Sequence, residues 1–338
     1  LAKVQVSNGY EVCIIPLKGN LDLIEEFRVA GVQLRLELHN RPFIFQLLMA
    51  PKYLLHFDLI HSHLPRSEIL GRLCISNVKF IVTRHNAESF FQGIPNRISS
   101  LLSRWVTSRA SVVIAISKAV EVFLIENNEL KNPNKCQVIY YGFEFQKRKG
   151  SSIRRKLSRN RKILTVGTIA RYSPQKNLPL FLQIVHGVTA MNLDVQASIV
   201  GSGPLKPKIS RLIVEMNLQN SVTCLGKISN VLEYLERIDI FLLTSNYEGF
   251  GLVLLEAMDA EIPILASNNS AIPEVLGINH PGLFSNLDEA VSKLLSLEEE
   301  KTKEFFIKFQ NRQREKFTIR KYFAAHHEVY SEVLSNEF

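Results

Sequence analysis

The sequence predicts an α/β protein of two doubly wound, Rossmann-like domains, and three observations carry that reading. Short β-branched runs alternate with helical patterns over nearly the whole chain, and such alternation builds parallel sheets covered by helices on both faces. The 338 residues exceed what one ordinary core holds and fit two domains of roughly 150 residues each. Between two series of strands, residues 147–162 carry nine basic residues and no acidic one, a run that cannot enter a core and marks a linker.

The first series of predicted strands comprises residues 11–16, 32–38, 58–61, 79–83, 111–116 and 137–140; the second comprises 162–167, 194–201, 222–225, 239–244 and 262–266. The expected organisation is a first domain at 1–148, a basic linker at 149–162 and a second domain at 163–317, with an aromatic-rich helix at 318–335 that can pack back on the first. Ligands of such sheets sit beyond the carboxyl ends of the strands, so two facing domains would place a site in the cleft between them. In the helical pattern at 97–108, Ile98, Leu101, Leu102 and Trp105 share one face, flanked by Arg97, Arg104 and Arg109 and preceded by Phe90 and Phe91. Two readings follow: the stripe packs on its own sheet, or it lies in an anionic lipid surface.

Composition narrows the classes. With 46% hydrophobic and 22% charged residues the chain is globular. No apolar stretch reaches the ~18 residues that cross a bilayer, and the start has no basic-then-apolar signal pattern. Cys13, Cys74, Cys136 and Cys224 form no C-x-x-C pair and read as buried, inert thiols of a reducing, cytoplasmic compartment. The first 150 residues hold 19 Lys and Arg against 12 Asp and Glu, and the rest 22 against 20. The basic half suits an anionic partner such as a membrane surface or a phosphorylated acceptor. Nucleic acid is disfavoured, because no binding motif for it is present.

The densest constellation is residues 245–258, S-N-Y-E-G-F-G-L-V-L-L-E-A-M. A buried strand ends in a polar loop with two glycines and opens a helix whose first amides can hold an anion. Glu248 in the loop and Glu256 in the helix can each accept hydrogen bonds from sugar hydroxyls. Arg171 and Lys176 follow an apolar strand at a spacing of five, on the loop at its carboxyl edge. His61 and His63 alternate on a strand end and point to one side. A metal pair there would need a third ligand, and none with fitting spacing is evident. His326 and His327, on the last helix, are expected at the surface. The chain has no D-x-D, no P-loop, and no third glycine after G-S-G-P to complete a dinucleotide fingerprint.

Taken together, these motifs resemble the retaining glycosyltransferases of family 4, which have the GT-B fold. The resemblance rests on E-x7-E within E-G-F-G-L-V-L-L-E-A-M, on V-G-T-I-A-R with P-Q-K-N after it, on V-G-S-G-P at 200–204, on L-G at 225–226 and on I-P-E-V at 272–275. In the first half it rests on D-L-I-H-S-H at 58–63, T-R-H-N at 83–86 and A-I-S-K at 115–118.

The resemblance implies transfer of a sugar from a nucleoside-diphosphate sugar, without a metal or other cofactor. Substitution would occur at the front face, with the leaving diphosphate helping to take the acceptor's proton. Arg171, Lys176, Glu248 and His85 would carry the chemistry. Glu256 would bind the ribose hydroxyls, Glu248 the transferred sugar, and Gly249, Phe250, Gly251, Leu252 and Gly203 the donor's oxygens. His85 would sit beside the donor sugar, with His61, His63 and Asn86 on the acceptor side. The segments 62–67 and 83–88 resemble bacterial enzymes that build surface polysaccharide or lipopolysaccharide on lipid carriers. That implies a glycan or lipid-linked acceptor and a cytoplasmic protein peripheral on the inner face of the membrane. Alternatives are a nucleotide-sugar epimerase of the same fold, disfavoured by E-x7-E, and a truncated, non-catalytic nucleotide-binding remnant. The sequence departs from the family at Tyr141-Gly142, where Asn-Gly is usual. It also begins with Leu, and Asn8-Gly9-Tyr10 aligns with the end of the family's first helix, so the first strand and its glycine loop are expected to be missing.

Overall fold

A computed structural model describes residues 1–73, 78–91, 93–146 and 163–335. The basic linker expected at 149–162 and Cys74 lie outside them. The chain divides into two compact units, Leu1–Gly142 with Phe317–Phe338, and Phe143–Lys316.

In the first unit β1 (Cys13–Ile14) and β2 (Gln33–Leu34) form a parallel pair, while β3 (Leu59–His63), β4 (Lys79–Arg84), β5 (Val112–Ala115) and β6 (Cys136–Val138) form a parallel sheet in that order. The strands expected at 11–16 and 32–38 shorten to two residues each. After β2 the chain turns, with His39 N–H donating to the Leu36 carbonyl and Asn40 left-handed at φ 54°. The loops after β1 and β2 are tied by buried Gln46, whose amide donates to the carbonyls of Leu17 and Leu38. The closing helix, Ile319–Ser335, packs Val329, Tyr330 and Val333 on Ile81, Val112, Ile114 and Ile139 of this unit. It passes so close to Gly142 that a Cβ there would lie 2.5 Å from Tyr322 Cβ and 2.8 Å from Ile319 Cα.

The helix Asn96–Arg109 has the opposite orientation to the one its apolar stripe would give it on a sheet. It buries Ser99, Ser103, Val106 and Thr107, and leaves Ile98, Leu101 and Trp105 51%, 66% and 38% exposed. Hydrogen bonding decides this. Ser99 Oγ accepts from Phe91 N–H, and Ser103 Oγ accepts from Arg84 and donates to the Glu129 carbonyl. Thr107 Oγ1 accepts from Lys131 N–H. The hydroxyl seam therefore completes an interior polar group built on Arg84, whose guanidinium lies 3.1 Å from Glu68 and 3.5 Å from Glu129 and stacks on buried Phe90. A buried charge is tolerable only when paired and hydrogen-bonded, and Ser103 of this seam supplies one bond to the guanidinium.

In the second unit β7 (Leu164–Ile169), β8 (Val195–Val200), β9 (Val222–Gly226), β10 (Ile240–Leu243), β11 (Ile264–Ser267) and β12 (Leu283–Phe284) are all parallel, in the order β12-β11-β10-β7-β8-β9. β12 was not among the expected strands; its two residues give no periodicity to read. Strands covered on both faces read as continuous apolar runs, and Ile-Phe-Leu-Leu of β10 is buried throughout. Val166, Ile199, Leu242 and Leu265 meet Phe181, Val185, Ile209 and Leu294 of the flanking helices in one core.

Candidate functional site

The order β10-β7-β8 marks where the second sheet changes winding direction: β8 and β9 step away on one side of β7, and β10 to β12 on the other. The loops leaving adjacent strands diverge there and open a crevice at their carboxyl ends. Arg171 and Lys176 stand on the loop after β7, and Glu248 to Gly251 on the loop after β10, with Leu252 opening the next helix.

The two loops are bound together along their length. Thr244 Oγ1 donates to the carbonyls of Lys176 and Asn177, Asn246 N–H to that of Gln175, and Gln175 Nε2 to that of Tyr247. Glu248, 4% exposed, accepts from Lys176 Nζ and Ser245 Oγ, each at 2.6 Å to the same Oε1. Ser270, after β11, donates to the Glu248 carbonyl; sequence reading missed it, because a lone loop serine carries no pattern. Arg171 is exposed, and among the described residues its guanidinium has no hydrogen bond or ion pair.

Gly249 and Phe250 are buried, and Gly251 is left-handed at φ 89°, a conformation glycine adopts without a Cβ penalty. It starts the helix Leu252–Asp259 with no side-chain cap. Half-exposed Leu252 and Glu256 are one turn apart on the same face, and burial raises the Glu256 carboxyl above its ordinary value. Gly203 is there for want of space, since a Cβ would lie 2.7 Å from the Tyr172 carbonyl oxygen. It lets the turn after β8 close on the segment that carries Arg171.

In the first unit, the ends of β3 and β4 bring the other predicted residues together. His61 is held by Tyr330 through Nδ1 and by Thr83 through Nε2, both at 2.6 Å. His63 Nδ1 lies 2.9 Å from His85 Nε2, and His85 Nδ1 meets the Tyr141 hydroxyl. Burial, then the charge of Arg84, pushes His85 down to about 4. Asn86 is exposed and joins none of these bonds. His326, expected at the surface, is instead 1% exposed with its ring 5.9 Å from that of His61; one helical turn after Tyr322, it faces inward. His327 is exposed and bonded to Tyr10. Cys13, Cys136 and Cys224 are half-buried rather than buried, and burial pushes the Cys136 thiol up to about 12. Among the described residues no three His, Cys, Asp or Glu side chains are grouped to hold a metal ion.

Comparison with known proteins bears on the family and the fold. Residues 1–147 match the model of Glycosyltransferase Family 4, and residues 151–316 that of Glycosyl transferases group 1. The chain is 28% identical over 232 residues to the N-acetyl-alpha-D-glucosaminyl L-malate synthase of Bacillus anthracis, 65% of this chain and 59% of that protein. It is 26% identical over 244 residues to the UDP-Gal:alpha-D-GlcNAc-diphosphoundecaprenol alpha-1,3-galactosyltransferase of Escherichia coli, 67% of this chain and 60% of that protein. The matches thus span about three fifths of these relatives' lengths. Anabaena HepE (Alr3699), solved with UDP and glucose, superposes with a TM-score of 0.80 at 18% identity, covering 98% of this chain and 95% of that one. With switch-point loops joined through Lys176 and Glu248, two family models that together run along nearly the whole chain, and this shared fold, the chain belongs to the family-4 type of GT-B glycosyltransferases.

Proposed function

We propose that the chain moves a sugar from a nucleoside-diphosphate sugar to a glycan or lipid-linked acceptor, with retention of configuration and without a metal ion. The observation that carries this reading is the Lys176–Glu248 pair set into the β7–β10 switch point, beside exposed Arg171. As the bond from the sugar's anomeric carbon to the β-phosphate oxygen breaks, negative charge grows on the diphosphate. Arg171, Lys176 and the amides opening the helix Leu252–Asp259 offset that charge. The acceptor hydroxyl attacks the same face of the sugar, and its proton passes to the departing phosphate oxygen. Glu256 takes the ribose hydroxyls. Glu248 aims Lys176 through Oε1 and offers Oε2 to the sugar, and His63 at the end of β3 offers a ring nitrogen to a sugar hydroxyl. The relatives' names support acceptors of this class, and solved neighbours of the same fold hold UDP or UDP-glucose. Thermal unfolding with UDP, GDP and ADP tests the reading: one diphosphate at 100 times its Kd adds ~2.7 kcal/mol, and no shift with any of them refutes it.

The membrane is the second partner we propose, from the cytoplasmic side. No helix among the described residues is long and apolar enough to cross a bilayer. The helices Asn96–Arg109 and Phe43–Leu54, both touching Pro65–Leu73, expose Leu101, Trp105, Ile44 and Leu48. Arg72 stacks 4.8 Å from the Trp105 ring and Arg41 5.8 Å from that of Phe45. Apolar side chains with cations around them fit an anionic lipid surface.

A further inference from the structure

The histidines that end β3 and β4 do not all have a nitrogen left for a ligand. His61 has committed Nδ1 to Tyr330 and Nε2 to Thr83. His85 has committed Nδ1 to Tyr141 and Nε2 to His63. His63 alone of the three keeps a ring nitrogen, Nε2, with no partner among the described residues, and it is exposed where His85 is half-buried.

A neutral imidazole carries one N–H and one lone pair, so the direction of one hydrogen bond fixes the direction of the other. Tyr141 stacks on His85, ring planes 16° apart and centroids 5.9 Å apart, and Tyr322 of the closing helix abuts Tyr141 at 6.1 Å. Burial raises the Tyr141 phenol and lowers His85, so at neutral pH the hydroxyl keeps its proton and the ring stays neutral. A protonated phenol is a ready donor to an sp² nitrogen.

From this geometry we infer that Tyr141 donates to His85 Nδ1, that His85 Nε2–H donates to His63 Nδ1, and that His63 Nε2–H is the donor the group presents to a sugar oxygen. This rests on the reading that these histidines serve the sugar. It makes His63 the residue that touches the ligand, and Tyr141 and His85 the positioning residues that set its tautomer. It also gives a role to Tyr141, where the sequence departs from its family.

Long-range ¹H–¹⁵N spectra of the full chain near pH 7.5 test the array without any ligand. His63 and His85 should both be protonated at Nε2, and Tyr141→Phe, which keeps the stacked ring, should turn His85 into a tautomer mixture. Hydrolysis of UDP-glucose and UDP-N-acetylglucosamine tests the role. Tyr141→Phe should lower kcat about tenfold with KM little changed, the scale of one lost hydrogen bond. His63→Gln, whose amide N–H replaces Nε2–H, should retain more activity than His63→Ala. An Nδ1–H tautomer at either histidine, or tautomers unmoved in Tyr141→Phe, overturns the array. Wild-type hydrolysis by His63→Ala overturns the contact. If the wild type hydrolyses neither sugar, the proposed activity fails with these donors, while the nitrogen spectra still decide the array.

Discussion

Lys176 and Glu248 stand 72 positions apart in sequence and 2.6 Å apart in space, joined across the loops of two neighbouring strands. The pair is largely enclosed, at 17% and 6% side-chain exposure, whereas Arg171 on the same loop stands in solvent. The two cations proposed to meet the same diphosphate therefore differ in what else depends on them.

Replacing either cation with alanine should lower turnover by roughly 10²–10³, the scale for one preorganised charge-stabilising donor. Arg171→Ala should leave the melting temperature unchanged. Lys176→Ala removes one partner of an enclosed ion pair, and such removals cost about 3–5 kcal/mol when burial is complete; the loss here should approach that range. Denaturant titration beside donor hydrolysis separates the two. Equal stabilities would show that the pair contributes nothing to the fold, and near-normal turnover would remove that residue from the reaction.

Chelation should leave donor turnover unchanged if, as proposed, the diphosphate charge is met by Arg171, Lys176 and amides. Activity lost to EDTA and restored by Mg²⁺ or Mn²⁺ would contradict metal independence.

Acid should destabilise the protein through its buried histidines. Burial holds His280 and His326 down to about 4 in the folded chain, against an ordinary 6.5. Between those values the unfolded chain binds more protons, so stability falls as pH is lowered, by up to about 1.4 kcal/mol per unit for each histidine. Glu68 opposes this. Burial raises it to about 7 from 4.5, so the folded chain holds that proton where the unfolded chain has released it. Its contribution is therefore present at low pH and lost as pH rises through about 7. Glu68→Gln should accordingly steepen the loss of stability between pH 7 and 4.5, read from urea midpoints. A slope equal to the wild type's would mean that Glu68 is ionised across that range.

Trp105 is the one tryptophan of the chain, so its emission reports directly on the exposed apolar face. It should shift to the blue with anionic vesicles and stay put with neutral ones. Leu101→Ser should weaken vesicle binding roughly ten- to a hundredfold, from the ~1.5–3 kcal/mol of one apolar side chain, without changing stability. An unmoved spectrum with anionic vesicles would refute contact through this face.

Most of the second unit was legible in sequence because its strands are covered on both faces and its turns carry glycine and charge at fixed spacings. Arg171, Lys176, Glu248 and Glu256 were singled out by the family resemblance that those spacings carry. Their division of labour does not: that Glu248 holds Lys176 while Arg171 stands in solvent is a matter of loops meeting in space. The helix Asn96–Arg109 misleads for a physical reason. Periodicity counts apolar residues, while its inward face is set by hydroxyls that bond Arg84, Phe91, Lys131 and Glu129. His326 was misplaced likewise, because its partners His61 and Tyr330 come together only when the closing helix docks.

That docking has a bearing on synthesis. The second unit is one uninterrupted stretch of chain, Phe143–Lys316, and needs nothing made after it. The first unit, begun earlier, takes Tyr322 and Tyr330 from a segment translated after the second unit. A ribosome-bound chain can thus finish its second half before its first, and His61 of β3 gains the hydroxyl of Tyr330 only once the helix Ile319–Ser335 has emerged.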